Sequence, residues 1–538
     1  MRRLRTACGL VAVAAAAAVT ASPAHGAGRV YWGNESASAL SYANLDGSGG
    51  ADLATTGAPK TGILGVAIDA ATSTIYWANY APGAGSISYA SLGGNGGGML
   101  PTTAGTVKGP FGLALDPAAG RLYWANKDGG TIAYANLNGT GGGTLSTAGA
   151  TIKSPTGVAV DPAAGRIYWD NFVSGGGSIS YASLDGSGHG GDLTTTGATV
   201  NGPEGLAIDP GANRLYWANY SSYHTISDAR LDGTGGADLA TTGATVESPT
   251  GLAIDAGAGR VYWANSTQPG GGISYASLTG GGGGDLPTGT ATTADPAFPL
   301  LLEPPLGTGA PEVGGGSATG SRLQCSQGTW APDVVESFLD RAPASFAYRW
   351  TRNGAAIAGA TGGSYTAATP GNYGCQVIAA NYAGSSSQTS APHAIAAALA
   401  SPRLKLAHVS QSHRRWREGN RPARTARRRR PPVGTTFSFT LNQSARVRFA
   451  FTQRVRGRRA EGRCVARARR TRHRRACART LVRAALSFTA RSGRTRVAFR
   501  GRVSRRRSLR PGLYTLIITA TSRAGGHASA RLTFRIVA

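Results

Sequence analysis

Few residues in this 538-residue chain are of types that do chemistry, and their spacing limits what they can do. Cys464 and Cys477 bracket Val465 to Ala476, a segment holding Arg469, Arg470, Arg472, Arg474 and Arg475. Guanidinium forks pair with phosphate and carboxylate oxygens, so these five arginines are read as an anion-binding tip. The two thiols can close a disulfide at its base. Zinc, with His473 as a third ligand, is the rival reading; no fourth ligand follows, and no metal is assigned. His189 and His224 lack recurring neighbours and are read as surface loop residues. Asp46-Gly47-Ser48-Gly49-Gly50-Ala51-Asp52 and the stretch from Asp185 to Asp192 suggest calcium loops, but their spacing is not that of an EF-hand, and Asp-Gly turn chemistry accounts for them. Gly-x-Gly pieces join strands and open no helix, so no phosphate cradle is expected. No asymmetric cluster of base, acid and nucleophile stands out. The chain is therefore read as a non-enzyme, with no catalytic residue and no cofactor.

The elements that carry these residues follow from a repeat. Tyr-Trp recurs at Tyr31-Trp32, Tyr76-Trp77, Tyr123-Trp124, Tyr168-Trp169, Tyr216-Trp217 and Tyr262-Trp263, at intervals of 45, 47, 45, 48 and 46 residues. A fixed period of this length marks copies of one supersecondary unit. In the third copy Gly112–Asp116 alternates apolar and small residues as a buried inner strand does. Arg121–Asn126 is a second strand and Thr131–Leu137 a third. Asn138-Gly139 is a hairpin signal, and Leu145 falls in a short outer strand. Four strands per copy make one propeller blade, and six copies predict six blades. The first copy lacks an inner strand. Phe298-Pro299-Leu300-Leu301-Leu302, the apolar run after the sixth copy, is expected to supply it and close the ring. Asp69, Asp116, Asp161, Asp209 and Asp255 recur at the inner-strand end. A recurring residue serves a recurring structural job, here a turn or an inter-blade hydrogen bond.

Gly205-Leu206-Ala207-Ile208-Asp209-Pro210 with Arg214-Leu215-Tyr216-Trp217-Ala218-Asn219, and Ile179 to Gly186, resemble the YWTD, or low-density-lipoprotein-receptor class B, repeats. The resemblance spans roughly residues 28–304 and implies a six-bladed propeller whose faces bind protein or glycan ligands. The family's Thr-Asp is replaced by Ala-Asn at Asn79, Asn126, Asn219 and Asn265, by Gly-Asn at Asn34 and by Asp-Asn at Asn171. In the family that Asp ties neighbouring blades, which leaves the inter-blade contacts here to be read from the structure.

Residues 1–26 have a basic start, an Ala/Val-rich run and small residues suited to cleavage after Ala24 or Gly26, the pattern of a secretory signal peptide. Cys8 leaves with it. No other run is long and apolar enough to cross a membrane as a helix. Four cysteines remain, Cys325, Cys375, Cys464 and Cys477, and an even count in an exported chain reads as two disulfides. The net charge of +29 is divided unevenly. Residues 27–304 hold 10 Lys/Arg against 20 Asp/Glu, whereas residues 401–538 hold 38 against 2. That asymmetry gives the tail an anionic partner by expectation.

Residues 305–320 read as a Gly/Pro-rich linker. Beyond it, Cys325, Trp350 and Tyr373-Gly374-Cys375 fall in the order seen in immunoglobulin-like sandwiches, and residues 321–400 resemble bacterial Ig-like modules. The resemblance implies a Cys325–Cys375 bridge under Trp350, closing a loop of about 50 residues and worth on the order of 4 kcal/mol. The long Cys-to-Trp gap places an insertion around Asp333–Ala344. A basic linker and first strand occupy 401–433, including Arg427 to Arg430. In 434–538, Thr436–Leu441, Ala445–Phe451, Tyr514–Ala520 and Arg531–Val537 alternate with period two, which puts Arg446 and Arg448 on one face and Val447 and Phe449 on the other. This stretch resembles the fibronectin-III-like or Ig-like end modules of actinobacterial exported proteins.

The expected fold is all-β, with a signal peptide (1–26), a six-bladed propeller (27–304) and two β-sandwich domains. The expected protein is secreted or cell-envelope-associated. Its propeller presents a face to a protein, peptide or glycan, and its tail associates with anionic envelope polymers. Nucleic acid is disfavoured because aromatic residues do not interleave with the basic ones. The alternatives are a lyase- or lactonase-like propeller enzyme acting in the central channel, and a purely structural envelope protein. The first of these requires His or carboxylate residues converging on the channel, two or more of them non-repeated and within hydrogen-bond reach there.

Overall fold

The inner strand of each repeat is buried along its whole length because it has a neighbour on every side. Ile63–Asp69, Pro110–Asp116, Pro155–Asp161, Pro203–Asp209, Pro249–Asp255 and Pro296–Leu302 are these strands. Five begin with proline, which has no N–H to leave unpaired at a strand start. The computed structural model describes residues 28–102, 106–267, 270–398, 402–419, 432–504 and 507–538, and falls into two compact units, 1–398 and 399–538. Residues 1–26, with Cys8, and the run Arg427 to Arg430 lie outside the described residues.

In the first unit each inner strand pairs antiparallel with the Tyr-Trp strand, which pairs with a third strand and then a short outer one. Six such sheets result among the described residues, five of four strands and the first with Leu339–Asp340 added as a fifth. Their inner strands neighbour one another in a closed cycle, from Ile63–Asp69 round to Pro296–Leu302 and back. This is a β-propeller. Its closing strand is the leftover apolar run: Leu300, Leu301 and Leu302 pair with Tyr31, Val30 and Arg29. Close approach of the inner strands demands glycine. A Cβ on Gly205 would fall 2.3 Å from the Gly251 Cα, and one on Gly251 2.3 Å from the Phe298 Cα.

The repeated aromatic residues hold the sheets and their connectors. All six tryptophans are fully buried. In five sheets the indole Nε1–H donates to a backbone carbonyl eighteen residues earlier, as Trp169 does to Thr151 at 3.0 Å and Trp217 to Thr199 at 2.8 Å. Trp32 makes the same bond to Thr292, across the closure, at 2.9 Å. The Asn two residues after Trp accepts the N–H of the same connector in five sheets, as Asn126 does from Lys108 and Asn219 from Asn201, each at 2.9 Å. At this position, then, the side chain fastens five sheets to their own connectors, while Asn34 donates to Ala39 and Ser41 of its own sheet. Arginines lie over the tyrosines of the third strand, for example Arg29 on Tyr42 at 4.7 Å and Arg166 on Tyr181 at 4.9 Å.

Residues 305–320 are not a plain linker. Gly307–Gly309 pairs with Thr329–Trp330, and Val313–Gly315 pairs with Arg322–Cys325. Glycines lower strand propensity but do not prevent an edge strand whose partner supplies the pattern. Ser345–Arg352 pairs with Gly371–Asn381, and Cys325 is bridged to Cys375 beside the buried Trp350. The Tyr373 hydroxyl donates to the Thr369 carbonyl at 2.9 Å.

The insertion near Asp333–Ala344 reaches into the propeller. Leu339–Asp340 pairs parallel with Leu301 and Leu302 of the closing strand. The Leu301 N–H donates to the Phe338 carbonyl and the Glu303 N–H to the Asp340 carbonyl, both at 2.9 Å. The Ser337 hydroxyl donates to the Ile208 carbonyl at 2.5 Å. The Phe338 ring packs against five of the hydrophobic clusters that lie between successive sheets. A residue that touches most of the ring must sit on its axis, so the insertion plugs one mouth of the channel.

In the second unit, Ala445–Ala460 pairs with Ala476–Ala490 on one side and with Gly512–Ser522 on the other. Leu406–Gln411, Thr435–Leu441 and Gly493–Phe499 form another sheet. The two enclose an aromatic core of Trp416, Phe437, Phe439, Phe449, Phe451, Phe499 and Phe534. As the alternation predicts, Val447 and Phe449 are buried and Arg446 and Arg448 exposed. The segment 401–433 contributes two strands rather than one, Leu406–Gln411 and Arg415–Arg417.

Candidate functional site

Six copies of one unit give sixfold equivalent positions, so a site must lie where the copies differ. The residue after each Tyr-Trp-x-Asn is such a position: Glu35, Tyr80, Lys127, Phe172, Tyr220 and Ser266. All six are half-buried. Their N–H groups donate to equivalent carbonyls just before the inner strands, those of Asp295, Gly62, Gly109, Ser154, Gly202 and Ser248, at 2.9–3.2 Å. They therefore form one rim, at the mouth opposite the plug. Below them the second residue of each inner strand also varies: Leu64, Phe111, Thr156, Glu204, Thr250 and Ala297.

The floor is Phe298. It stands where the other inner strands have glycine, with φ +47°. Its ring edge lies 3.1 Å from where a Cβ on Gly112 would be and 3.2 Å from one on Gly205. These strands belong to the third and fifth sheets, so the ring crosses the axis. Phe298 meets Phe111 edge-on at 5.8 Å, Phe111 meets Tyr80 at 5.5 Å, and Phe172 meets Tyr220 at 6.2 Å. The Lys127 ammonium lies 4.2 Å from the centre of the Phe111 ring and 4.9 Å from that of Phe172. The result is a blind cup with aromatic walls.

Two carboxylates in this cup have no counterpart in the other sheets. Asp170 replaces the Ala or Gly between Trp and Asn and is fully buried. It accepts from the Thr156 hydroxyl, from the Gly157 N–H at 2.7 Å, and from the Gly205 N–H of the next sheet. Burial pushes its pKa up to about 6 against these hydrogen bonds. Asp170 thus makes an inter-sheet tie that the repeated Asn does not, and makes it once. Glu204 is 7 % exposed, and its carboxyl makes no hydrogen bond or ion pair among the described residues. Burial pushes it up to about 7; Lys127 opposes this, while Asp170 and Glu35 add to it. Glu35 is raised by burial and by Asp295, and Tyr220 by burial and by Glu204.

A stability prediction follows from Glu204. A carboxyl whose folded pKa exceeds its unfolded value binds its proton more tightly when folded, so ionisation costs stability as pH rises from about 4.5 to about 7. Glu204→Gln removes that cost. At pH 8 the variant is expected to melt several degrees higher than the parent, by differential scanning calorimetry, with the difference vanishing near pH 4.5. An unchanged or lower midpoint at pH 8 would contradict this assignment.

The residues singled out from the sequence fall elsewhere. The Tyr-Trp pairs are core. The repeated aspartates cap the turn after the inner strand: Asp116, Asp161, Asp209 and Asp255 each accept the N–H three residues on, at 2.8–3.0 Å, and Asp69 does the same with Thr72. They edge the plugged mouth, where Asp333 feels Asp69, and Glu336 feels Asp161 and Asp209. His189 is exposed beside Ser187. Asp46 and Asp185 close two-residue turns onto the Ser48 and Ser187 N–H groups. No group of His, Cys, Asp and Glu suited to a metal occurs among the described residues.

Cys464 and Cys477 are joined, but not at the base of a single hairpin. They lie on strands that flank Ala445–Ala460 and meet beside Gly457, where a Cβ would fall 2.8 Å from the Cys464 Sγ. Arg469, Arg470, Arg472, Arg474 and Arg475 beyond them are exposed, with no carboxylate in ion-pair range among the described residues.

No family model matches the chain, and no curated protein matches it significantly in sequence. Several solved structures are similar to its first half. A chain in a nidogen/laminin complex is 17 % identical over 51 % of this chain and 98 % of its own length, with a TM-score of 0.42. A protein from Lactobacillus plantarum is 15 % identical over 52 % of this chain and 100 % of its own, with a TM-score of 0.37. A gluconolactonase from Xanthomonas campestris is 19 % identical over 50 % and 84 %, with a TM-score of 0.34.

Proposed function

We propose that this is an exported, non-enzymatic binding protein. A six-bladed YWTD-type propeller presents its open mouth to a protein, peptide or glycan. An Ig-like module follows it, and a fibronectin-III-like module with an arginine tip holds the molecule to anionic envelope polymer. One observation carries the reading of the propeller: the side chains that break the sixfold repeat gather at one mouth, around a cup, while the insertion fills the other. The module readings rest on the Cys325–Cys375 bridge under Trp350 and on two buried tyrosines, Tyr373 and Tyr514, whose hydroxyls each donate to a carbonyl four residues upstream.

The test is capture by the full-length mature chain. A partner held by the parent should be lost by Tyr80→Ala/Tyr220→Ala and kept by His189→Ala, which lies on an exposed turn at the opposite end of the strands. Retention by the double variant would move the binding face elsewhere. For the tip, elution from purified cell walls should fall between low and high salt, because exposed charge pairs are screened within about 8 Å at physiological ionic strength. Changing all five tip arginines to glutamine should bring elution to lower salt, and salt-insensitive retention would falsify the electrostatic reading.

The enzyme reading draws on one feature, two raised carboxyls near Lys127 in a blind cup. Binding is preferred because no direct hydrogen bond joins Glu204 to Lys127 or Asp170 among the described residues.

A further inference from the structure

We infer that the open mouth recognises an aliphatic ammonium group, such as a lysine side chain presented by a peptide, with Glu204 as its counter-ion. The inference rests on the reading of that mouth as the binding face and supplies its ligand chemistry.

Glu204 is more than nine-tenths buried and has no hydrogen-bond partner of its own among the described residues. Its carboxyl oxygens are not among the fully enclosed unpartnered polar atoms, so they open onto the mouth and can take a partner from solution in place of water. It faces the channel, since the groups it senses belong to other sheets: Glu35 of the first, Lys127 of the third and Asp170 of the fourth. Of these, Asp170 is already saturated by donors from Thr156, Gly157 and Gly205. Glu35 stands at the rim beside Asp295. With Glu204 itself these groups make three carboxyls against one ammonium, so an incoming cation is favoured over an anion.

The walls support the same class. An ammonium is attracted to an aromatic face within about 6 Å. The cup already shows this with its own lysine, which rests on Phe111 and Phe172 rather than on a carboxylate. Tyr220 continues that wall beside Glu204. The Phe298 floor limits depth and excludes through-flow, which suits the end of a side chain better than a bulky ring. Lys127 is then an internal competitor for the negative field.

The experiment is calorimetric titration of the full-length mature chain with trilysine in 0.15 M salt, with the fully Nε-acetylated peptide as neutral control. Trilysine should bind and the acetylated peptide should not. Glu204→Gln should weaken binding at least tenfold, and Lys127→Met should tighten it severalfold. Asp232→Asn, on an exposed turn away from the mouth, should leave it unchanged. Because a cation needs the ionised carboxylate, affinity should fall as pH drops through about 7, with Glu35, Asp170 and Lys127 as the other groups in view. Equal binding of the acetylated peptide, or an unaffected Glu204→Gln protein of normal melting behaviour, would overturn the inference. If trilysine fails while the Tyr80→Ala/Tyr220→Ala protein still loses a captured partner, the mouth remains the binding face and the cation inference alone fails.

Discussion

Leu301→Asp is expected to leave no folded propeller. Leu301 is fully buried in the closing strand, opposite Val30 on one side and Leu339 on the other. It packs in one cluster with Val30, Trp32, Tyr262 and Leu339. The cluster holds no cation, and its Trp32 N–H is already committed to the Thr292 carbonyl. An uncompensated buried charge costs several kcal/mol beyond the lost packing, which is comparable to the whole stability of a typical domain, about 5–15 kcal/mol. The strand also supplies the first sheet with its inner strand from the end of the repeat, so a defect there weakens the closure of the ring. Far-UV circular dichroism and limited proteolysis of the purified variant would read this out. Leu301→Ala, which removes volume without charge, should lose about 2–5 kcal/mol and stay folded. A folded, protease-resistant Leu301→Asp protein would show that the ring does not depend on this strand.

Phe338→Ala is expected to loosen propeller and insertion together. The ring fills the axis at the plugged mouth and is shared among five of the inter-sheet clusters. Fully buried phenylalanines cost about 3–5 kcal/mol on truncation; a half-buried one belongs near about 3 kcal/mol. The backbone bonds of Leu301 and Glu303 to the insertion remain in the variant, so the loss isolates the side chain. Urea unfolding followed by tryptophan fluorescence should show a lower midpoint for the whole first unit, with Phe338→Leu intermediate. A loss under about 0.5 kcal/mol would mean that the ring covers the axis without supporting it.

The propeller was legible because its determinants recur. Tyr-Trp, the inner-strand Gly and the terminal Asp each report one structural requirement six or five times, and the unpaired run at Phe298–Leu302 was the only apolar stretch left to complete the first sheet. The plug was visible only as surplus length between Cys325 and Trp350, since its role depends on where Phe338 arrives in space. The linker reading of 305–320 failed because strand pairing there is imposed by Arg322–Cys325 and Thr329–Trp330, and the glycines themselves carry no pattern. The cup was missed for a different reason. Attention to what repeats hides what does not, and Glu35, Tyr80, Lys127, Phe172, Tyr220 and Ser266 share a column of the repeat in which no two neighbours match in kind except the aromatic ones. That column follows directly after the most regular motif in the chain and could have been found by alignment of the six copies. Asp170 carried a signal of the same sort, as the single acid in a column of Ala and Gly. The path of the second disulfide could not be read, because it depends on a long strand passing between the two cysteines at Gly457.

The cross-link beside Gly457 has a consequence for survival among proteases. Arg467, Arg469, Arg470, Arg472, Arg474 and Arg475 lie between the two half-cystines and are exposed, which makes this stretch a target for trypsin-like enzymes. A single cut there would leave both new ends tethered, so the polypeptide would be nicked without shedding its positive charge until a reductant arrived.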